Sequence, residues 1–115
     1  MILTVLKSKI HRAKVTGADL NYEGSIAIDK KLMNAARINE FEKVEIYNIN
    51  SGARFSTYVI NGKDAEISLN GAAARLVQKN DLVIIACYAQ IDEKELSNFK
   101  PRIVLVDERN KEITK

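Results

Sequence analysis

Arg54-Phe55-Ser56-Thr57-Tyr58-Val59-Ile60-Asn61-Gly62 reads as a strand of aromatic, hydroxyl and β-branched residues closed by Asn-Gly, the dipeptide that most favours a two-residue hairpin turn. The turn is expected to lead into a second strand from Glu66 to Leu69. Working outward, Val44 to Ile49 forms a strand joined to the first through Asn50-Ser51-Gly52, and Ile2 to Val15 is β-rich and intermittently alternating. Ser25 to Ile28 is a short run resuming after Gly24, Leu82 to Tyr88 a longer apolar one, and Ile103 to Val106 a last strand following Pro101. Helices are brief: Asp29 to Ile38, with Leu32, Ala35 and Ala36 at helical spacing and Asp29 as cap, then a turn or two over Gly71 to Val77, then Asp92 to Asn98. Several short strands with few helices predict a mainly β chain, a small β-barrel that leaves no long sheet edge open.

A chain of 115 residues, 46% hydrophobic and 29% charged, suits one globular domain over residues 1–115. The net charge is +3, and residues 1–24 hold +2 of it through Lys7, Lys9, Arg12 and Lys14 against Asp19 and Glu23. That imbalance is too mild to call for nucleic acid, and without tryptophan the chain lacks the aromatic platforms that single strands need. No apolar stretch approaches a membrane span and no secretory leader is recognisable, so no membrane partner and a cytoplasmic location are expected. Cys87 is the lone cysteine and lies in an apolar run, where a buried small hydrophobe is expected rather than a nucleophile. His11 is the lone histidine, and without ligand-spaced His or Cys clusters no metal is expected.

Gly24-Ser25 carries latent chemistry. A serine hydroxyl becomes a competent nucleophile when its proton is removed or its oxyanion stabilised, and a preceding glycine can take a strained or left-handed conformation that opens its carbonyl to attack. Attack by Ser25 on the Gly24 carbonyl would turn the amide into an ester. Elimination would leave a dehydroalanine, and hydrolysis a pyruvoyl group at the new chain end. For the isolated dipeptide, a plain turn explains the same residues.

The surrounding segments select between these readings. Lys9-Ile10-His11-Arg12, Tyr22-Glu23-Gly24-Ser25, Arg54-Phe55-Ser56-Thr57-Tyr58 and Asn70-Gly71-Ala72-Ala73-Ala74 closely resemble the pyruvoyl-dependent aspartate decarboxylases, in order and approximate spacing, from Met1 to about Val106. The resemblance implies a double-psi β-barrel and a homotetramer with active sites between neighbouring subunits. It implies self-cleavage of Gly24-Ser25 into a β-chain of residues 1–24 and an α-chain of 25–115, with Ser25 becoming the covalent pyruvoyl cofactor. That group would form a Schiff base with L-aspartate and accept electrons as carbon dioxide leaves, yielding β-alanine for pantothenate and coenzyme A. Neither pyridoxal phosphate nor a metal is then required, while an accessory maturation factor remains open as a further partner.

By the same resemblance Arg54 would hold a substrate carboxylate, a task its planar fork suits, and Lys9 would add a second cation. Tyr58 would return a proton, and Thr57 would support processing at the Gly24 carbonyl and contact substrate. His11 would move protons or order the pocket, and Tyr22 would flank the processing site. Asn70, Gly71, Ala72, Ala73 and Ala74 would line the pocket. Each has a plainer reading: surface charges for Lys9 and Arg54, packing aromatics for Tyr58 and Tyr22, a structural histidine, a helix cap at Asn70. By strand alternation Thr57 and Tyr58 should face opposite sides. Tyr47, where some members carry tryptophan, and Ser51, where asparagine is common, depart from the pattern without touching this chemistry.

Overall fold

The structure, a computed structural model, describes residues 1–114. Eight strands dominate: β1 (Ile2–Lys14), β2 (Gly17–Asp19), β3 (Ser25–Asp29), β4 (Lys43–Asn48), β5 (Arg54–Gly62), β6 (Ile67–Asn70), β7 (Leu82–Asp92) and β8 (Arg102–Leu105). One α-helix, α1 (Lys30–Ala36), and two 3-10 helices, Gly71–Leu76 and Glu93–Asn98, complete the described elements. The mainly β expectation holds. Asp29 caps α1 as the sequence suggests, its Oδ1 accepting from the Lys31 backbone N–H at 2.8 Å while Oδ2 accepts from Ala65 at 2.7 Å.

The strands are ordered β2-β6-β3-β5-β4-β7-β1-β8. Only β4 and β5 are neighbours both in sequence and in the sheet. Three pairings are parallel, β1 with β8, β2 with β6 and β3 with β5, so the chain repeatedly crosses over itself. The inward faces bury Ile10, Val15, Ile26, Ile28, Ile46, Val59, Ile67, Leu69 and Ile85 with no exposure, and α1 adds Leu32 and Met33. Asn110, in the left-handed region at φ 59°, acts as a clip on β1: it accepts from the Lys14 N–H at 2.7 Å and donates to the Lys14 and Ala65 carbonyls at 2.8 and 3.0 Å.

The Asn61-Gly62 hairpin does not form. Residues 61 and 62 remain in β5, paired with Ile28 and Asp29 of the parallel strand β3, and the turn falls later, where Glu66 N–H reaches the Lys63 carbonyl at 3.0 Å. β3 lies between β5 and β6, so the two are not partners at all. The glycine serves a close approach instead: a Cβ at Gly62 would stand 2.9 Å from the Ile28 carbonyl carbon.

Cys87 is fully buried. Its Sγ lies 3.5 Å from Glu42 Oε2, and Lys7 Nζ meets both Glu42 oxygens at 2.7 and 2.9 Å. Burial first, and then the Glu42 charge, push the thiol up to about 11. Because the thiolate is the reactive species, the folded protein is expected to leave an aromatic disulfide reagent unreacted at pH 8. The denatured protein should take up one equivalent. Rapid reaction of the native thiol would contradict this burial.

Candidate active site

β3 begins at Ser25, which is 1% exposed. Antiparallel pairing sets it directly opposite Asn70 on β6, and the Asn70 amide Nδ2 donates to Ser25 Oγ at 2.9 Å. Oγ in turn points a long contact, 3.5 Å, at the Glu23 carbonyl. A fixed donor on the hydroxyl oxygen favours the charge that develops as its proton leaves.

The glycine held in unusual geometry is not Gly24. Positive φ occurs at Gly52 and at Gly71, the latter at 67°, whereas the Cβ position of Gly24 is open, with nothing within 4 Å. Gly71 packs onto the Gly24 backbone so closely that a Cβ there would stand 2.7 Å from Gly24 Cα, 2.8 Å from Gly24 N and 3.1 Å from the Tyr22 carbonyl. The left-handed turn belongs to the residue that seats the Tyr22–Gly24 segment, and the exposed Gly24 is left accessible.

Gly24 borders a cleft of about 390 Å³ lined also by Phe55, Ser56, Thr57, Tyr58, Ala72, Ala73 and Leu76. Alternation persists along β5: Phe55, Thr57 and Val59 are more buried than Arg54, Ser56 and Tyr58. Thr57 and Tyr58 both border the cleft because the strand runs along its edge. Ile26 pairs with Val59 in parallel, so one residue earlier Ser25 and Tyr58 have the same facing, away from the core. One chain therefore gathers Gly24, Ser25, Thr57, Tyr58, Asn70, Gly71, Ala72 and Ala73. Ala74 is buried beneath them at 6% exposure.

Lys9, His11, Arg54 and Tyr22 stand outside this cleft. Register places Lys9, Ala86, Glu45 and Ser56 in one row across β1, β7, β4 and β5. Arg54 pairs with Tyr47 in the next row, leaving three strand spacings, about 14 Å, between the Lys9 and Arg54 strands. The Arg54 guanidinium lies 3.9 Å above the centre of the Tyr47 ring, and the Tyr47 hydroxyl is 2.9 Å from that of Tyr88. Tyr47, a departure expected not to touch the proposed chemistry, lies directly against the Arg54 side chain. Tyr88 was not anticipated, because only the strand register reveals that β7 and β4 share this face.

His11 sits where β1 bulges, next to Arg12 at φ 66°, and its buried Nδ1 has no hydrogen-bond partner among the described residues. Burial first, then the positive charges of Lys9 and Arg12, lower its pKa, which keeps the ring neutral at pH 7. Tyr22 is exposed on the loop before Ser25 and borders a separate cleft of about 420 Å³ with Asp19, Lys63, Glu66 and Asn70. Among the described residues no group of three or more His, Cys, Asp and Glu side chains is placed to hold a metal ion. No described helix is long and apolar enough to cross a membrane.

The family model for aspartate decarboxylase matches residues 1–113. A protein named aspartate 1-decarboxylase from Hydrogenobaculum is 61% identical over 106 residues, covering 92% of this chain and 85% of its own. One of the same name from Clostridium beijerinckii is 61% identical over 118 aligned residues, covering 99% and 95%. A third, from Campylobacter hominis, is 58% identical over 110 residues, covering 96% of each.

Proposed function

The chain belongs to the aspartate decarboxylase family, a family of carboxy-lyases, and we propose from that premise that it converts L-aspartate to β-alanine and carbon dioxide after cutting itself between Gly24 and Ser25. The observation that carries this reading is a buried serine hydroxyl engaged by Asn70 beside an exposed glycine on a cleft. Ser25 Oγ attacks the Gly24 carbonyl, the C–N bond breaks and an ester forms. Loss of the Cα proton from residue 25 expels the Gly24 carboxylate and leaves dehydroalanine. Water then adds and ammonia departs, so residues 1–24 end in a carboxylate and residues 25–115 begin with a pyruvoyl group.

The residues present fit a group built at this position, since Asn70 holds the Ser25 oxygen that makes the attack and small side chains at Ala72 and Ala73 leave the cleft open beside it. When formed, the pyruvoyl group supplies the electron-accepting carbonyl of a decarboxylase. The chain's own residues do the rest. Arg54 and Lys9 bind the two carboxylates as opposed cations, and Tyr58, sharing the facing of Ser25, delivers a proton from its hydroxyl. Thr57 borders Gly24 and supports the oxyanion of processing. His11, neutral at pH 7, is a proton acceptor. Tyr22 flanks the processing site on the exposed loop.

Arg54 and Lys9 lie outside the cleft of their own chain, which supports an assembly in which a neighbouring copy completes each site. In this reading the product feeds pantothenate and coenzyme A formation. Denaturing mass spectrometry of purified protein, followed by incubation with aspartate, tests the proposal. Two fragments, the larger without a free amino terminus, and accumulating β-alanine are expected. Clean cleavage without β-alanine would overturn the substrate, and a permanently intact chain would overturn the processing.

A further inference from the structure

We propose that Tyr88 is a positioning residue for substrate binding, its hydroxyl pinning the Tyr47 ring beneath the Arg54 guanidinium and so fixing the direction in which the arginine presents its N–H edge. The inference rests on the reading that Arg54 grips a substrate carboxylate. Its observations are separate from those that carry that reading.

Three side chains from three strands form a chain of contacts on one face of the sheet: Tyr88 on β7, Tyr47 on β4 and Arg54 on β5. The guanidinium is stacked at 3.9 Å on the Tyr47 ring, and that ring is tied at its far end by the 2.9 Å hydroxyl contact to Tyr88. Stacking covers the face of the guanidinium and leaves its edge, which carries the donors, free for a coplanar carboxylate. Between the two tyrosines, Ala86 occupies the row with only a methyl group and is 1% exposed. The rings therefore have room to meet over it.

The tie has something to oppose. Glu45 lies on the same face of β4, in the adjacent row opposite Ser56, and is an available partner for a long, mobile arginine. Yet among the described residues Arg54 forms no salt bridge. An untethered phenol ring would swing with the arginine it supports. With the hydroxyl held by a second strand, the ring is a fixed platform, and the guanidinium loses less freedom when a carboxylate arrives. Tyr88 is 42% exposed, so its hydroxyl is not retained to satisfy a buried polar group.

The test uses four variants of the self-processed protein: Tyr88→Phe, Tyr47→Phe, the double variant, and Tyr47→Trp in the Tyr88→Phe background. Loss of one hydroxyl tie is expected to raise KM for aspartate about five- to tenfold, with kcat within about twofold and fragment formation at the wild-type rate. The double phenylalanine variant should be no worse than either single one, because both remove the same contact. Tryptophan at position 47 should restore KM, since the indole is the stronger cation platform and has no hydroxyl to anchor. A KM in Tyr88→Phe equal to that of the active wild type, or single effects that multiply in the double variant, would overturn the positioning role alone. A wild-type protein that leaves aspartate untouched would overturn the reading beneath it, and the two failures are separated in one assay.

Discussion

Ser25→Ala is expected to yield a folded, uncut chain that makes no β-alanine. The substitution removes the only atom that the proposed rearrangement uses as nucleophile, and the hydroxyl is 1% exposed and the acceptor for Asn70. Leaving that buried amide donor unpaired costs about 1–3 kcal/mol, small beside the stability of an ordinary domain. Loss of function would therefore arise from chemistry and not from unfolding. Denaturing mass spectrometry should find one species after prolonged warming, and thermal denaturation should show a cooperative transition. Fragments ending at residue 24 in this variant would refute the assignment of Ser25.

The second large effect is expected at a residue with no reactive group. Gly71→Ala places a methyl 2.7 Å from Gly24 Cα and 2.8 Å from Gly24 N. Both are backbone atoms, so no rotamer relieves the clash. The added Cβ must also be held at φ 67°, a left-handed conformation that costs an L-residue about 1–2 kcal/mol. The segment Tyr22–Gly24 is the part that can yield, being exposed on its outer side. A displacement on the order of 1 Å is enough to slow a reaction about a hundredfold. Cleavage of Gly71→Ala should fall by at least about that factor, while the protein melts as a folded species only modestly destabilised. Processing at the normal rate by folded Gly71→Ala would show that the contact does not orient the scissile segment.

Individual elements were readable because local chemistry decides them. Asp29 as a helix cap, the apolar run of β7 and the resumption of a strand at Ser25 follow from side chains a few residues apart. β2 was not readable: Gly17, Ala18 and Asp19 have no strand pattern, and they pair in parallel with β6 through register alone. Asn61-Gly62 misleads for the same reason. Its propensity for a turn is local, whereas parallel pairing with β3 comes from a segment more than thirty residues away. The short helical turns expected near Gly71 and Asp92 form, both as 3-10 helices.

The site divides along the same line. Gly24, Ser25, Thr57, Tyr58 and Asn70 to Ala73 could be named from segments of sequence, and β3, β5 and β6 bring them together. What propensity cannot convey is which glycine has a backbone packed against it, since that depends on a segment approaching from elsewhere in the chain. Nor can it reveal Tyr47 and Tyr88. Their relation to Arg54 exists only once β7, β4 and β5 lie side by side.

The interleaved strand order has a consequence for timing. Residues 1–24 include β1, threaded between β7 and β8, and contribute Ile10, Ala13 and Val15 to the interior with no exposure. A break after Gly24 therefore releases nothing, because the shorter piece is woven through the longer one. Once severed, however, the two pieces can find each other again only by a bimolecular encounter. Under the proposed processing, each molecule would have to finish folding before it is cut, and the cut would remove its easy way back from the unfolded state.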